Sequence, residues 1–438
     1  LVEFELGGPL RWGLEGSRLL VVPHAGILEN AFYSAESHSL QFYSFMSNGR
    51  RPRAYHTALA HDIVSHETGH AILDAVRPRY YEPFEPETSA LHEAVGDLCA
   101  IFAALSHEQI RHRVAGSLDR LNLLSEIAEG FEEAGARGWG SIRSLVDAKP
   151  SDWKDTIEPH DLSLRLSSTI YLSLRKLHRT LMQRGQSKVH ALETARTVIQ
   201  RMAVRALDFL PPADCTLGEY AEAMLAADRA THLSDDEGYR SIVHGVLVGR
   251  GLVSRRQEAI DETRWLQYPP SWPRPSVRDA YLFLHANRHR LALAPHADQR
   301  DFIVRDVQLK RLPTSPGDVA QIAIVYEYPL DVKLGPKEAE AFGDHWITLR
   351  GGGTLVFDAL GVLLYEARKP VTRERVDAAK RFLLEGSEES VTVVGVSIED
   401  DVRREAARRP WIAECSGSRL TLRSNLAACC GRSRRPRT

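Results

Sequence analysis

Apolar positions recur three and four apart through much of the first 250 residues, then give way to alternation and short β-branched runs. Over residues 89–105 the period is clear: Leu91, Ala94, Val95, Leu98, Ile101, Phe102 and Leu105 form one stripe. A helical pattern over 58–76 ends where Pro78 forbids continuation. Further helices are expected at 161–184, 188–206, 216–230 and 237–250. Ahead of them, Leu19, Leu20, Val21 and Val22 read as a strand bounded by Pro23. The run from Tyr268 to Pro275, Tyr-Pro-Pro-Ser-Trp-Pro-Arg-Pro, supports neither a helix nor a central strand. Beyond it, 321–328 and 390–398 are strand-like, 354–367 reads as a hairpin around Asp358 and Gly361, and 373–384 is a helix between strands. Gly351, Gly352 and Gly353 read as a tight turn; no Lys-Ser or Lys-Thr follows them, as a phosphate loop requires. The resulting division is a mainly α-helical unit over 1–252 with a short β-containing start, a Pro-rich linker over 253–276, an α+β accessory domain over 277–412, and a Cys- and Arg-containing tail over 413–438, expected to be disordered. No internal repeat is evident.

Composition narrows the classes. A formal charge of -2 over 438 residues gives no electrostatic pull toward nucleic acid or a membrane surface. No run of eighteen apolar residues is present, so no membrane-spanning helix is expected. The five cysteines, Cys99, Cys215, Cys415, Cys429 and Cys430, are odd in number and lack metal-type spacing, so free thiols in a reducing compartment are expected. No signal pattern opens the sequence at Leu1. The cytoplasm is the expected compartment, with secretion the alternative for a chain preceded by a leader. Oligomeric state is left open.

The chemistry centres on His66-Glu67-Thr68-Gly69-His70. Helical positions four apart share a face, so two imidazoles there can converge on one zinc. Glu67 neighbours the first ligand and suits a general base rather than a ligand. A catalytic site needs a third protein ligand, and the second helix offers one in His92-Glu93-Ala94-Val95-Gly96-Asp97. Glu93 completes a His-His-Glu set; Asp97, one turn on, can hold the far nitrogen of a ligand imidazole. His92 is the alternative ligand.

These two segments resemble the catalytic helices of the thermolysin family of gluzincin metallopeptidases, and the resemblance runs over roughly residues 20–252. Asn30-Ala31-Phe32-Tyr33 is similar to the family's Asn-Ala-Phe-Trp edge segment, which implies substrate-holding roles for Asn30 and Ala31. Tyr81 stands where the family keeps a tyrosine that contacts the tetrahedral intermediate, with Tyr80 the adjacent alternative. Arg143 resembles the arginine that binds the substrate carbonyl. Asp155 and His160, followed by Ser163, resemble the transition-state histidine motif, with Glu158 a competing partner for His160. Segments 216–229 and 239–251 resemble the family's last catalytic helices.

The resemblance implies a zincin fold, one zinc ion, a peptide or protein substrate, and endopeptidase activity with Glu67 as base and His160 as oxyanion donor. The departures are equally readable. Only about thirty residues precede the Asn-Ala-Phe segment here, so the family's longer β-rich lobe is expected to be shortened or rebuilt. Ala100, Ala103 and Ala104 stand where acidic ligands would be needed, so no calcium is expected. The truncation motivates an alternative reading, a catalytically impaired protein acting as a binding or scaffold module.

Overall fold

A computed structural model of the chain describes residues 1–12, 18–46, 53–120, 122, 124, 126–127, 143–146, 148–149, 153–154, 156–255, 266–269, 275–291, 293, 302–314, 317–389, 391–394 and 410–425. The expected helices are present: α2 is His61–Val76, α3 Pro86–Ser106, α5 Pro159–Gln183, α6 Lys188–Ala206, α7 Leu217–Thr231 and α8 Tyr239–Gly249, with short helices α1 at Val2–Leu6 and α4 at Glu108–Val114. α3 is long and apolar enough to cross a membrane by composition, but 89% of that stretch is buried inside the fold. It is the central core helix, lined by Leu91, Val95, Leu98 and Ile101.

The close approach of α2 and α3 follows from two glycines. A Cβ on Gly69 would stand 2.7 Å from the Gly96 Cα, and a Cβ on Gly96 would stand 2.7 Å from the His66 ring. Bare backbone on both helices therefore lets the histidine face of one meet the carboxylate face of the other. Beside α2 lies a three-stranded sheet in the order β1 (Leu20–Val22), β3 (Ser39–Phe42), β2 (Ala31–Ser34). β2 is an edge strand and carries the Ala31–Tyr33 segment. A hairpin of β4 (Ser44–Met46) with β5 (Ala54–His56) follows, and β6 (Glu126–Ile127) pairs with β7 (Arg143–Ser144).

After α9 (Val277–Ala286), the C-terminal region forms a seven-stranded mixed sheet around the long antiparallel pair β9 (Val319–Lys333) and β10 (Trp346–Asp358). β8 (Ile303–Leu312) flanks β9, and β11 (Leu363–Lys369) pairs with β10 through the expected hairpin. α10 (Pro336–Phe342) joins β9 to β10, and α11 (Arg373–Glu389) precedes β12 (Val391–Val394). Two expectations are corrected here. The three glycines lie inside β10, not in a turn. A Cβ on Gly351 would strike the Tyr328 ring, and one on Gly352 would meet the Tyr326 carbonyl and Pro212 of the helical unit. The segment assigned to a disordered tail supplies β13 (Trp411–Ser416) and β14 (Arg419–Ser424), which carry buried Trp411, Ala413, Leu420 and Leu422. Alternation in 419–424 was the missed signal; residues 426–438 lie outside the described residues.

The sheet packs closely on the helices. Val356 enters the helical core, Thr354 Oγ1 donates to the Leu210 carbonyl at 2.6 Å, and Lys369 pairs with Glu219 at 2.6 Å. In the linker, Tyr268 is buried, and its N–H donates at 2.7 Å to Gly361 in the β10–β11 turn.

Candidate metal centre

His66, Glu67 and His70 are buried, and each presents a donor atom within 4.8 Å of the others, a group that could hold a metal ion. Glu93, across the glycine crossing, is fully buried. Its Oε2 lies 3.4 Å from His66 Nε2 and its Oε1 3.7 Å from His70 Nε2. Two donors on one tetrahedral zinc, each about 2.0–2.1 Å from it, stand about 3.3–3.4 Å apart. The separations therefore fit a shared ion. Both ring nitrogens of His70 are buried without a hydrogen-bond partner among the described residues, as expected of a ring whose partner is a metal.

Electrostatics point the same way. Burial pushes the His66 imidazolium down, but the carboxylates of Asp97 and Glu93 outweigh it and hold its pKa at about 9. A positive charge is thus favoured between these groups. Burial, joined by the neighbouring imidazoles of His66, His92 and His160, pushes His70 well below the ordinary histidine range against the opposing charge of Glu93. Asp97 takes the outer-sphere place the sequence suggests: its Oδ1 lies 3.2 Å from His66 Nδ1, and its Oδ2 accepts from Ser167 Oγ at 2.8 Å. Ser167, on α5, was not anticipated.

Glu67 is held differently from Glu93. Its Oε2 accepts the backbone N–H of Tyr33 on β2 at 2.9 Å, which ties the carboxylate to the edge strand. The Tyr33 hydroxyl donates to Asp74 Oδ2 at 2.8 Å, fastening the same strand to α2 two turns further on. Asn30 and Ala31 are buried at the start of that strand, where Asn30 Oδ1 accepts the Ala31 N–H at 2.9 Å.

Of the two tyrosines, Tyr80 turns away and donates to the Pro211 carbonyl at 2.8 Å. Tyr81 faces inward, its ring centroid 6.1 Å from Tyr33 and 4.7 Å from His92. Burial first, then Asp74, Tyr33, Glu67 and Glu93, push its hydroxyl well above the ordinary tyrosine range, so it stays protonated and able to donate. That hydroxyl has no hydrogen-bond partner among the described residues. His92 is fully buried and its pKa is pushed down to about 4 by burial. It packs 5.8 Å from the His70 ring, centroid to centroid, and stays neutral.

His160 points into the cluster. Its Nε2 lies 3.1 Å from Glu93 Oε2 and its Nδ1 2.8 Å from Glu158 Oε1. Glu158 is also the N-cap of α5, its Oε2 accepting from Asp161 N at 2.8 Å, with Pro159 in the first turn. One carboxylate thus starts the helix and orients the histidine. Burial opposes a charged His160, yet Glu93 and Glu158 hold its pKa up at about 10. Asp155, the expected partner, lies outside the described residues; Arg143 is placed only as backbone in β7. Searches among protein families, curated proteins and solved structures gave no match to this chain.

Proposed function

We propose that the chain is a zinc-dependent endopeptidase. The observation that carries this reading is the convergence of both His Nε2 atoms of an i, i+4 pair on one buried glutamate, with a second glutamate, Glu67, beside them and bound to an edge strand. His66, His70 and Glu93 would hold the ion. Zinc, when bound, supplies a Lewis acid for a carbonyl and lowers the pKa of a coordinated water toward neutrality. An extended peptide beside β2 is placed next to Glu67 by the strand that already holds this carboxylate. Glu67 takes the proton of the attacking water and returns it to the leaving amine. His160, charged and braced by Glu158, would donate from Nε2 toward the developing oxyanion once its present partner Glu93, 3.1 Å away, is engaged by the ion, and the Tyr81 hydroxyl can donate beside it. Asp97 keeps His66 in one tautomer by accepting from Nδ1.

The test is zinc content and casein hydrolysis measured side by side for wild type, Glu67→Gln and His70→Ala. Wild type should carry close to one zinc. Glu67→Gln should keep the zinc and lose about a hundredfold or more of the activity. His70→Ala should lose both. Wild type that takes up no zinc after expression with added zinc would overturn the reading; a Glu67→Gln protein of unchanged activity would overturn the mechanism. Zinc uptake without hydrolysis in wild type would favour the scaffold alternative.

A further inference from the structure

Among the described residues the C-terminal sheet supplies no group to the metal cluster, yet it grips three segments beside it: α3, the turn carrying Tyr81 and the stretch leading into His160. Ser89 lies on α3 one turn before Glu93 and is buried. It accepts the Trp411 indole N–H at 3.0 Å and shares a hydrogen bond with Ser424 Oγ at 2.8 Å. Trp411 and Ser424 belong to β13 and β14. The turn carrying Tyr81 is held by ions: Arg79 lies 3.5 Å from fully buried Glu327 on β9, Glu327 pairs with Arg350 on β10 at 3.2 Å, and Arg79 and Arg350 both reach Glu82. Phe84, from the same turn, sits in the apolar cluster of Trp411, Phe382 and Leu420, and Ile157 packs against that cluster three residues before His160.

These contacts share a consequence. A hydrogen-bonded indole fixed in a packed core is a rigid reference point, and Ser89 transmits it to the helix turn that carries Glu93. We infer that the C-terminal sheet is a positioning element of the metal centre, acting chiefly through Trp411 and Ser424 on Ser89, so that sheet docking and metal binding are thermodynamically coupled. The inference rests on the proposed ligand role of Glu93. Coupling is reciprocal: if docking raises zinc affinity by some factor, zinc strengthens docking by the same factor.

Two measurements test it without recourse to activity. In the first, zinc affinity is read by competition with a chromophoric chelator for full-length wild type, Ser89→Ala, Trp411→Phe and Gln321→Ala. Gln321 donates to the Ala230 carbonyl at 3.2 Å, a sheet-to-helix contact that touches none of the three segments. Ser89→Ala and Trp411→Phe should bind zinc about tenfold more weakly, the lower end of outer-sphere effects, with an altered visible spectrum when loaded with cobalt(II). Gln321→Ala should match wild type. Trp411→Phe keeps an aromatic ring in the core, so it answers the question even where Ser89→Ala fails to fold. In the second, zinc should slow amide exchange in residues 411–424 of wild type. Equal zinc affinity in all four proteins, or exchange in 411–424 that zinc does not change, would overturn the coupling. Wild type that binds no zinc overturns instead the ligand assignment on which it stands.

Discussion

The two sides of the candidate site are built by different means. On one side, His66, His70, Glu93 and Asp97 project from the interiors of two long helices whose crossing is fixed by Gly69 and Gly96. On the other, Tyr81 comes from a single 3-10 turn over Pro78–Tyr81 and His160 from the first turn of a helix. The helix interiors need no outside support to hold their spacing, because backbone hydrogen bonds set it. The second side borrows its order, from Glu158 for His160 and from the C-terminal sheet for the Tyr81 turn. The contrast teaches that helix spacing alone decides which donors share a face, while the placing of whole segments, the Glu93 turn held through Ser89 included, is settled by partners outside them.

The largest expected effect that separates the two sides is on catalysis without loss of metal. His160→Ala should cut turnover by roughly a hundredfold, the scale of one lost oxyanion donor, while zinc content stays near one. Glu158→Gln should give a smaller loss in the same direction. It should also lower the melting temperature slightly, since it removes the negative charge at the N-terminus of α5, a change costing about 0.3–1 kcal/mol. Zinc lost from His160→Ala would place His160 among the ligands and erase the distinction between the sides. Its 3.1 Å contact with Glu93 makes that outcome worth measuring.

The next effect attacks the helical side. Gly96→Ala puts a methyl group 2.7 Å from the His66 ring, at a crossing where Gly69 already meets the Gly96 backbone closely. Overpacking of this kind costs about 1–3 kcal/mol. Read on zinc affinity, that is a loss of about fivefold to 150-fold. Gly249→Ala, which meets no atom within 4 Å, is the matched control. Unchanged zinc affinity in Gly96→Ala would mean that the crossing does not set the ligand geometry.

How much of this was legible in the sequence follows the same divide. The histidine pair, Glu93 and Asp97 could be placed because spacing within one helix fixes which residues share a face. So could the switch to strands after the Pro-rich run. Separating Tyr81 from Tyr80, or seeing that Glu158 meets His160, was out of reach of spacing, since a turn sets its side-chain directions through tertiary contacts such as Tyr80 on Pro211. Ser167 and Ser89 act across helix and sheet interfaces, with 70 and 322 residues between partners, and no local pattern marks them. The glycines were visible but unused: a Gly beside His70 and another three residues after Glu93 is the pattern of helices that touch backbone to backbone. The triple glycine in β10 was misread for a related reason. It pairs within the ladder, and the need for glycine comes from the positive φ of Gly352 and from the closeness of Tyr328, the Tyr326 carbonyl and Pro212.

The smallest effect probes the join between the sides, where Tyr33 bridges Glu67 and Asp74. Asp74 is 7% exposed, and burial pushes its pKa up from 3.8 to about 6, against the opposing hydrogen bond from Tyr33 and the charge of His38. A carboxyl with a raised folded-state pKa binds its proton more tightly when folded. Its contribution to stability is therefore complete below about pH 4 and is lost as pH rises through about 6. The span corresponds to at most about 3 kcal/mol. Asp74→Asn keeps an oxygen to accept from the Tyr33 hydroxyl and carries no charge at any pH. Urea unfolding at pH 4 and pH 8 should show wild type losing stability between the two by on the order of 1–3 kcal/mol more than the variant. Parallel losses in the two proteins would show that Asp74 is charged in the fold across this range. Tyr33 would then hold the edge strand to α2 by a charge-assisted bond, and the strand beside Glu67 would be anchored more firmly than its raised pKa implies.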